Sequence, residues 1–139
     1  MENKGNYTNL YKLVEKLKNA DDPKRKYEFI LWLGKKLKVP DNSILISENK
    51  VQGCVSEVFI KANYQKGKLY WEGYSDALIT KGLLAFLING MNELTPEEVV
   101  SLNSKFIEET GLKASLTPSR SNGFLNILLK MQSQANDFL

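Results

Sequence analysis

Residues 6–20, NYTNLYKLVEKLKNA, space Leu10, Leu13, Val14 and Leu17 three or four apart, which gathers them on one face of a helix. The pattern predicts a first helix with Thr8 as its N-cap. Residues 21–38, DDPKRKYEFILWLGKKLK, predict a second: Asp22 caps it, Pro23 takes the tolerated first-turn position, and Tyr27, Ile30, Leu31 and Leu37 form its apolar stripe. Periodicity then stops at VPDNSILISENKV (39–51), a loop turned by Pro40, Asn42 and Ser43. VSEVFIKA (55–62) and KLYWEGY (68–74) are rich in β-branched and aromatic residues and read as two antiparallel strands, joined by a hairpin loop over 63–67 that ends in glycine.

SDALITKGLLAFLINGM (75–91) is apolar on nearly every side, with Leu78, Ile79, Leu83, Leu84, Phe86, Leu87 and Ile88, so it predicts a central helix buried around most of its circumference. Ser75 and Asp76 read as its cap and first turn, where an acid suits the helix dipole. TPEEVVSL (95–102) spells a capping box: the Thr95 oxygen meets the amide of Glu98, and the Glu98 side chain returns to the cap. NSKFIEETGL (103–112) predicts a short helix stopped by Gly111, and a last helix starts from Thr117 and Pro118 and buries Ile127, Leu128 and Met131. No repeat, low-complexity tract or Gly/Ser linker interrupts the chain, so residues 1–139 read as a single domain. Helices flanking one hairpin, with no βαβ alternation, predict an α+β fold with a small antiparallel sheet packed against several helices.

Composition narrows the class: 42% hydrophobic and 25% charged residues fit one soluble globular domain. The single cysteine excludes an internal disulfide, and neither an apolar leader nor a run of about 20 apolar residues is visible, so the expectation is a cytoplasmic protein without a membrane span. The formal charge of +3 is uneven, because residues 1–38 carry ten Lys/Arg against five Asp/Glu. Those lysines fall on the polar faces of two amphipathic helices with acids interspersed, which reads as solvated surface and not as a nucleic-acid stripe. Steering toward an acidic protein partner is the alternative.

The chain has no histidine, which removes Cys-His dyads, Ser-His-Asp triads and most zinc sites. No phosphate-binding glycine loop is present, and one cysteine cannot hold an iron–sulfur cluster alone. The remaining nucleophile is Cys54, in KVQGCVSEVFI (50–60). A lone cysteine is most often a small buried hydrophobe. Two features argue for more. Gly53 can adopt a positive φ and turn Cys54 to the outside of a bend, and the position joins a loop to a strand. A reactive thiol must also be partly thiolate, and here only lysine, arginine and helix amides can favour that form. Arg120, near the third position of the last helix, opposes the helix dipole, so its guanidinium either reaches an anion or makes a surface ion pair.

Four blocks, VQGCVSEVF, SDALITKGLLA, TPEEVV and GLKASLTPSRSNGF, taken in order and at these separations, resemble the SufE family of sulfur acceptors, which includes the CsdE-type acceptors. The resemblance covers residues 27–129. It implies an α+β fold similar to the IscU-type scaffold without that scaffold's cluster cysteines. It also implies a partner, a SufS-type cysteine desulfurase that carries the pyridoxal phosphate, while this chain has no cofactor or metal of its own. The acceptor position matches Cys54, which takes persulfide sulfur and passes it to a SufBCD-type scaffold for iron–sulfur cluster assembly. Such a protein is a carrier and activator of the desulfurase more than an independent enzyme, and is a monomer or weak homodimer. The family thiol tends to sit in an apolar pocket, for which Val51, Val55 and the apolar patch at 44–46 are the candidates.

Under the same resemblance Gly53 permits the turn, and Asp76, Lys81 and Arg120 become candidates for docking or loop control, with Lys81 equally readable as a surface lysine. The chain departs from the family's frequent CQSQVW at Val55, Glu57 and Phe59, which bears on partner preference; a Glu57 charge near the thiol would raise its pKa. Three rivals remain: a carrier serving tRNA or cofactor thiolation, a protein-binding adaptor with an inert cysteine, and a thiol peroxidase or redox sensor.

Overall fold

The computed structural model describes residues 4–139. Its axis is the helix α3 (Leu78–Met91), eleven of whose fourteen residues are buried, as a segment apolar on all sides requires. Around it pack α1 (Thr8–Lys18), α2 (Pro23–Lys35) and one face of a hairpin made of β1 (Val58–Gln65) and β2 (Lys68–Ser75). The short helices α4 (Pro96–Ser101) and α5 (Lys105–Glu109) then lead to the long α6 (Pro118–Asn136), which closes the core from the other side. Phe86 of α3 meets Phe124 of α6 edge-on, with ring centroids 5.6 Å apart. α2 crosses α3 so closely that a β-carbon on Gly82 would collide with the Ile30 carbonyl, so only glycine fits there.

The two strands pair antiparallel from Val58↔Ser75 to Gln65↔Lys68. A two-stranded sheet leaves two open edges, and both are answered. Gln134 of α6 accepts from the Ala62 amide (2.8 Å) and donates to the Ile60 carbonyl (2.7 Å), which covers β1. On the other side Leu69 exchanges backbone bonds with Glu93 and Leu94. No helix among the described residues is long and apolar enough to cross a membrane.

The α+β architecture matches the expectation, as do the Asp22 cap, the reciprocal Thr95–Glu98 box and the Thr117 cap of α6. Several boundaries differ. Thr8 is the first helical residue of α1 and Tyr7 occupies the cap, because a 3-10 turn (Lys4–Tyr7) precedes the helix. α2 ends at Lys35, which leaves Leu37 half-buried beyond it. The strands run further than local chemistry suggested: the turn is only Lys66 and Gly67, both with positive φ, and residues 63–65 are paired strand. β1 starts at Val58 and not at Val55. Ser75 is the last residue of β2, Asp76 lies outside any helix, and Ala77 takes the cap of α3 without a side-chain bond. Strand pairing with Val58 outweighs helix capping at Ser75, since the pairing completes a ladder.

Candidate functional site

Cys54 rides on a six-residue loop, Gln52 to Glu57, whose neck is closed by the Val51 amide donating to the Val58 carbonyl at 2.8 Å. Gly53 turns the chain with φ +80°, a conformation that side chains with a β-carbon resist. α6 holds one flank: Asn126 Nδ2 donates to the Gly53 carbonyl at 3.2 Å, and a β-carbon on Gly53 would come within 2.6 Å of that same nitrogen. Asp76 holds the other, as its carboxylate accepts from the Glu57 amide at 3.1 Å while its own amide donates to the Glu57 carbonyl at 3.4 Å. The loop is therefore clasped by a few side-chain and backbone bonds instead of by buried apolar area.

The thiol is half-buried and faces Gly123 of α6, with Sγ 3.9 Å from the carbonyl oxygen. Burial pushes its pKa above the ordinary thiol value, because the thiolate is the form that loses solvation. It opens on a cavity of about 250 Å³ lined by Cys54, Val55, Ser56, Thr80, Thr117, Ser119, Arg120 and Gly123. Most of these side chains carry a hydroxyl or a charge. The expected apolar pocket is not what the thiol opens on: Val51 and Ile44 are buried but line no part of this cavity, Val55 is 87% exposed, and Leu45 and Ile46 also face solvent. Since β1 begins at Val58, the alternation that would have turned Val55 inward does not extend that far.

Of the residues singled out from sequence, Gly53, Cys54, Asp76 and Arg120 converge here. Arg120 lies on the first turn of α6, exposed, on the cavity wall, and its guanidinium pairs with no carboxylate among the described residues. That leaves it open to an anion. Lys81 follows Thr80 on α3 but is not part of the cavity lining. Glu57 is exposed, and Phe59 is buried on β1 beside Tyr74. Sequence reasoning missed Thr80, Gly123 and Asn126. Only Asn126 carried a signal, a lone polar letter inside the apolar run FLNILL. Among the described residues no three His, Cys, Asp or Glu side chains gather as a metal-holding group.

The family model for SufE, described as an Fe-S metabolism associated domain, matches residues 11–135. The chain belongs to the SufE family. Among SufE-like relatives, an uncharacterized SufE-like protein from Synechocystis sp. is 53% identical over 130 residues, 94% of this chain and 82% of that protein. The Arabidopsis thaliana SufE-like protein 1, chloroplastic/mitochondrial, is 38% identical over 91% of this chain but only 34% of its own length. The cysteine desulfuration protein SufE of Plasmodium falciparum is 36% identical over 88% of this chain and 54% of its own. This SufE domain thus spans about a third of the plant relative and about half of the parasite one. A solution structure of a hypothetical protein from Thermus thermophilus shares the fold, with a TM-score of 0.80 at 23% identity over 93% of this chain and 94% of that one.

Proposed function

We propose that this chain is a sulfur acceptor and carrier working with a SufS-type cysteine desulfurase. The Cys54 thiolate attacks the outer sulfur of a persulfide on the desulfurase, the donor S–S bond breaks, and the donor cysteine leaves as thiolate with the electron pair. The transferred sulfur stays at the sulfane level, so no external oxidant or reductant enters. Cys54 then hands the sulfur to a SufBCD-type scaffold for iron–sulfur cluster assembly. The pyridoxal phosphate belongs to the desulfurase.

The observation that carries this reading is a single thiol on a loop tip, half-buried and clasped by a small number of breakable bonds from Asp76 and Asn126. At rest, burial raises the pKa of the thiol and so disfavours the nucleophilic thiolate. A partner that displaces the loop exposes it and supplies a polar environment that favours thiolate. With no second cysteine in the chain, Cys54 cannot discharge into an internal disulfide, so the sulfur must leave to another molecule.

The test is incubation with a cysteine desulfurase, pyridoxal phosphate and free cysteine, followed by intact mass measurement. One added sulfur is expected, removable by dithiothreitol and absent in Cys54→Ser. Arg120→Ala should lower acceptance while leaving the melting temperature intact, because removing a cation from a helix N-terminus costs the fold nothing. Unchanged mass and unchanged desulfurase turnover would sink the carrier reading and leave a protein-binding adaptor.

A further inference from the structure

The cavity beside Cys54 is better equipped for an anion than for the resting thiol. The thiol hydrogen has an acceptor, the Gly123 carbonyl. Across the cavity stand donors. Thr80 is 6% exposed, lines the cavity, and its hydroxyl has no hydrogen-bond partner among the described residues. Its amide is equally free: α3 has no side-chain cap, and its first intrahelical bond at this end is Lys81 to Ala77. The side chain is fixed by burial while its hydroxyl opens on the cavity with no protein partner, so it is free to donate to a group that enters there. Thr117, Ser119 and Arg120 complete the wall from the N-terminus of the 19-residue α6. Residues from the amino-terminal turns of two helices therefore line one cavity, and Arg120 is the sole charged side chain lining it among the described residues.

Resting on the carrier reading above, we propose that Thr80 is a hydrogen-bond donor to the terminal sulfur of loaded Cys54. When Cys54 holds a second sulfur, that atom extends from Sγ into the cavity and, as a persulfide, ionises more readily than a thiol. The loaded group is then an anion, which the Gly123 carbonyl cannot serve and the Thr80 hydroxyl and amide can. The resting thiol meets an acceptor and the loaded persulfide meets donors. The cavity thus distinguishes the two states of one side chain, holding the cargo as the nucleophilic anion that the next acceptor requires. Thr80 touches the reacting atom only after loading.

The test avoids the desulfurase, so that its failure is separate from failure of the carrier reading. Cys54 is converted to a mixed disulfide with an aromatic thiol, and sulfide displaces that thiol to leave a Cys54 persulfide. Capture by iodoacetamide is then followed against pH for wild type, Thr80→Val and Thr80→Ser. Loss of one hydrogen bond to a charged group should shift the persulfide profile of Thr80→Val toward higher pH, slowing capture about tenfold below the midpoint and leaving the high-pH plateau unchanged. Thr80→Ser should retain the wild-type profile. The unloaded thiol, which faces Gly123, should respond much less. A Thr80→Val persulfide profile that superimposes on wild type overturns the proposal, as does a Thr80→Ser profile matching Thr80→Val, or a thiol profile displaced as far as that of the persulfide.

Discussion

β1 has a turn at each end, and the two are held by different physics. At the far end, Lys66 and Gly67 both adopt positive φ, and a β-carbon on Gly67 would meet nothing within 4 Å. That turn is a local matter between two strands. At the near end, Gly53 has almost the same φ, yet a β-carbon there would press on Asn126, more than 70 residues away in sequence. The hairpin turn only needs to reverse the chain. The Cys54 loop is secured by tertiary hydrogen bonds from Asn126 and Asp76, which under the proposed function another protein exchanges when it opens the loop.

The sharpest challenge to this contrast is a pair of substitutions. Gly67→Ala should cost only the strain of a left-handed residue, about 1 kcal/mol. Gly53→Ala carries the same strain and also displaces Asn126, which forfeits the bond to the Gly53 carbonyl, for a total of about 1–3 kcal/mol. Thermal unfolding of both variants measures the difference, and Gly53→Ala combined with Asn126→Ala should recover part of it. Equal losses would mean that the two turns are held alike.

A smaller effect is expected at the opposite flank. Asp76→Ala removes the acceptor for the Glu57 amide and should speed alkylation of the resting Cys54 by about fivefold, the equivalent of one modest hydrogen bond, with little change in melting temperature. An unchanged rate together with a lowered melting temperature would make Asp76 part of the scaffold only.

The smallest effect is on stability against pH. Burial raises the Cys54 pKa in the folded state, so as pH rises past the ordinary thiol value the unfolded chain releases its proton first. Unfolding is thereby favoured, and stability should decline between the ordinary thiol pKa and the raised folded value. Cys54→Ser should lack that decline. Were the two proteins to lose stability in parallel over this window, desolvation of the thiol would not be the cause.

The α+β class was legible because α3 is apolar on all sides, β1 and β2 are rich in β-branched and aromatic letters, and Thr95, Asp22 and Thr117 cap helices with side chains close in sequence. Cys54 stood out as the only thiol, and Gly53 as its companion. The errors clustered where long-range pairing competes with local preference. Ser75 and Asp76 carry good helix-start chemistry, but Val58 and Glu57 lie opposite and claim them for the ladder and the loop. Thr80, Gly123 and Asn126 gave almost no warning, since a threonine inside an apolar helix and a glycine near a helix start are ordinary letters until another element faces them.

The chain alone therefore determined the elements, the central helix and the position of its single thiol, because helical period, capping and the count of cysteines can be read from the letters themselves. Only the tertiary structure decided what surrounds the sulfur. Bringing the amino ends of α3 and α6 against one loop depends on how three distant segments pack, and no local pattern records which free donor will face which atom.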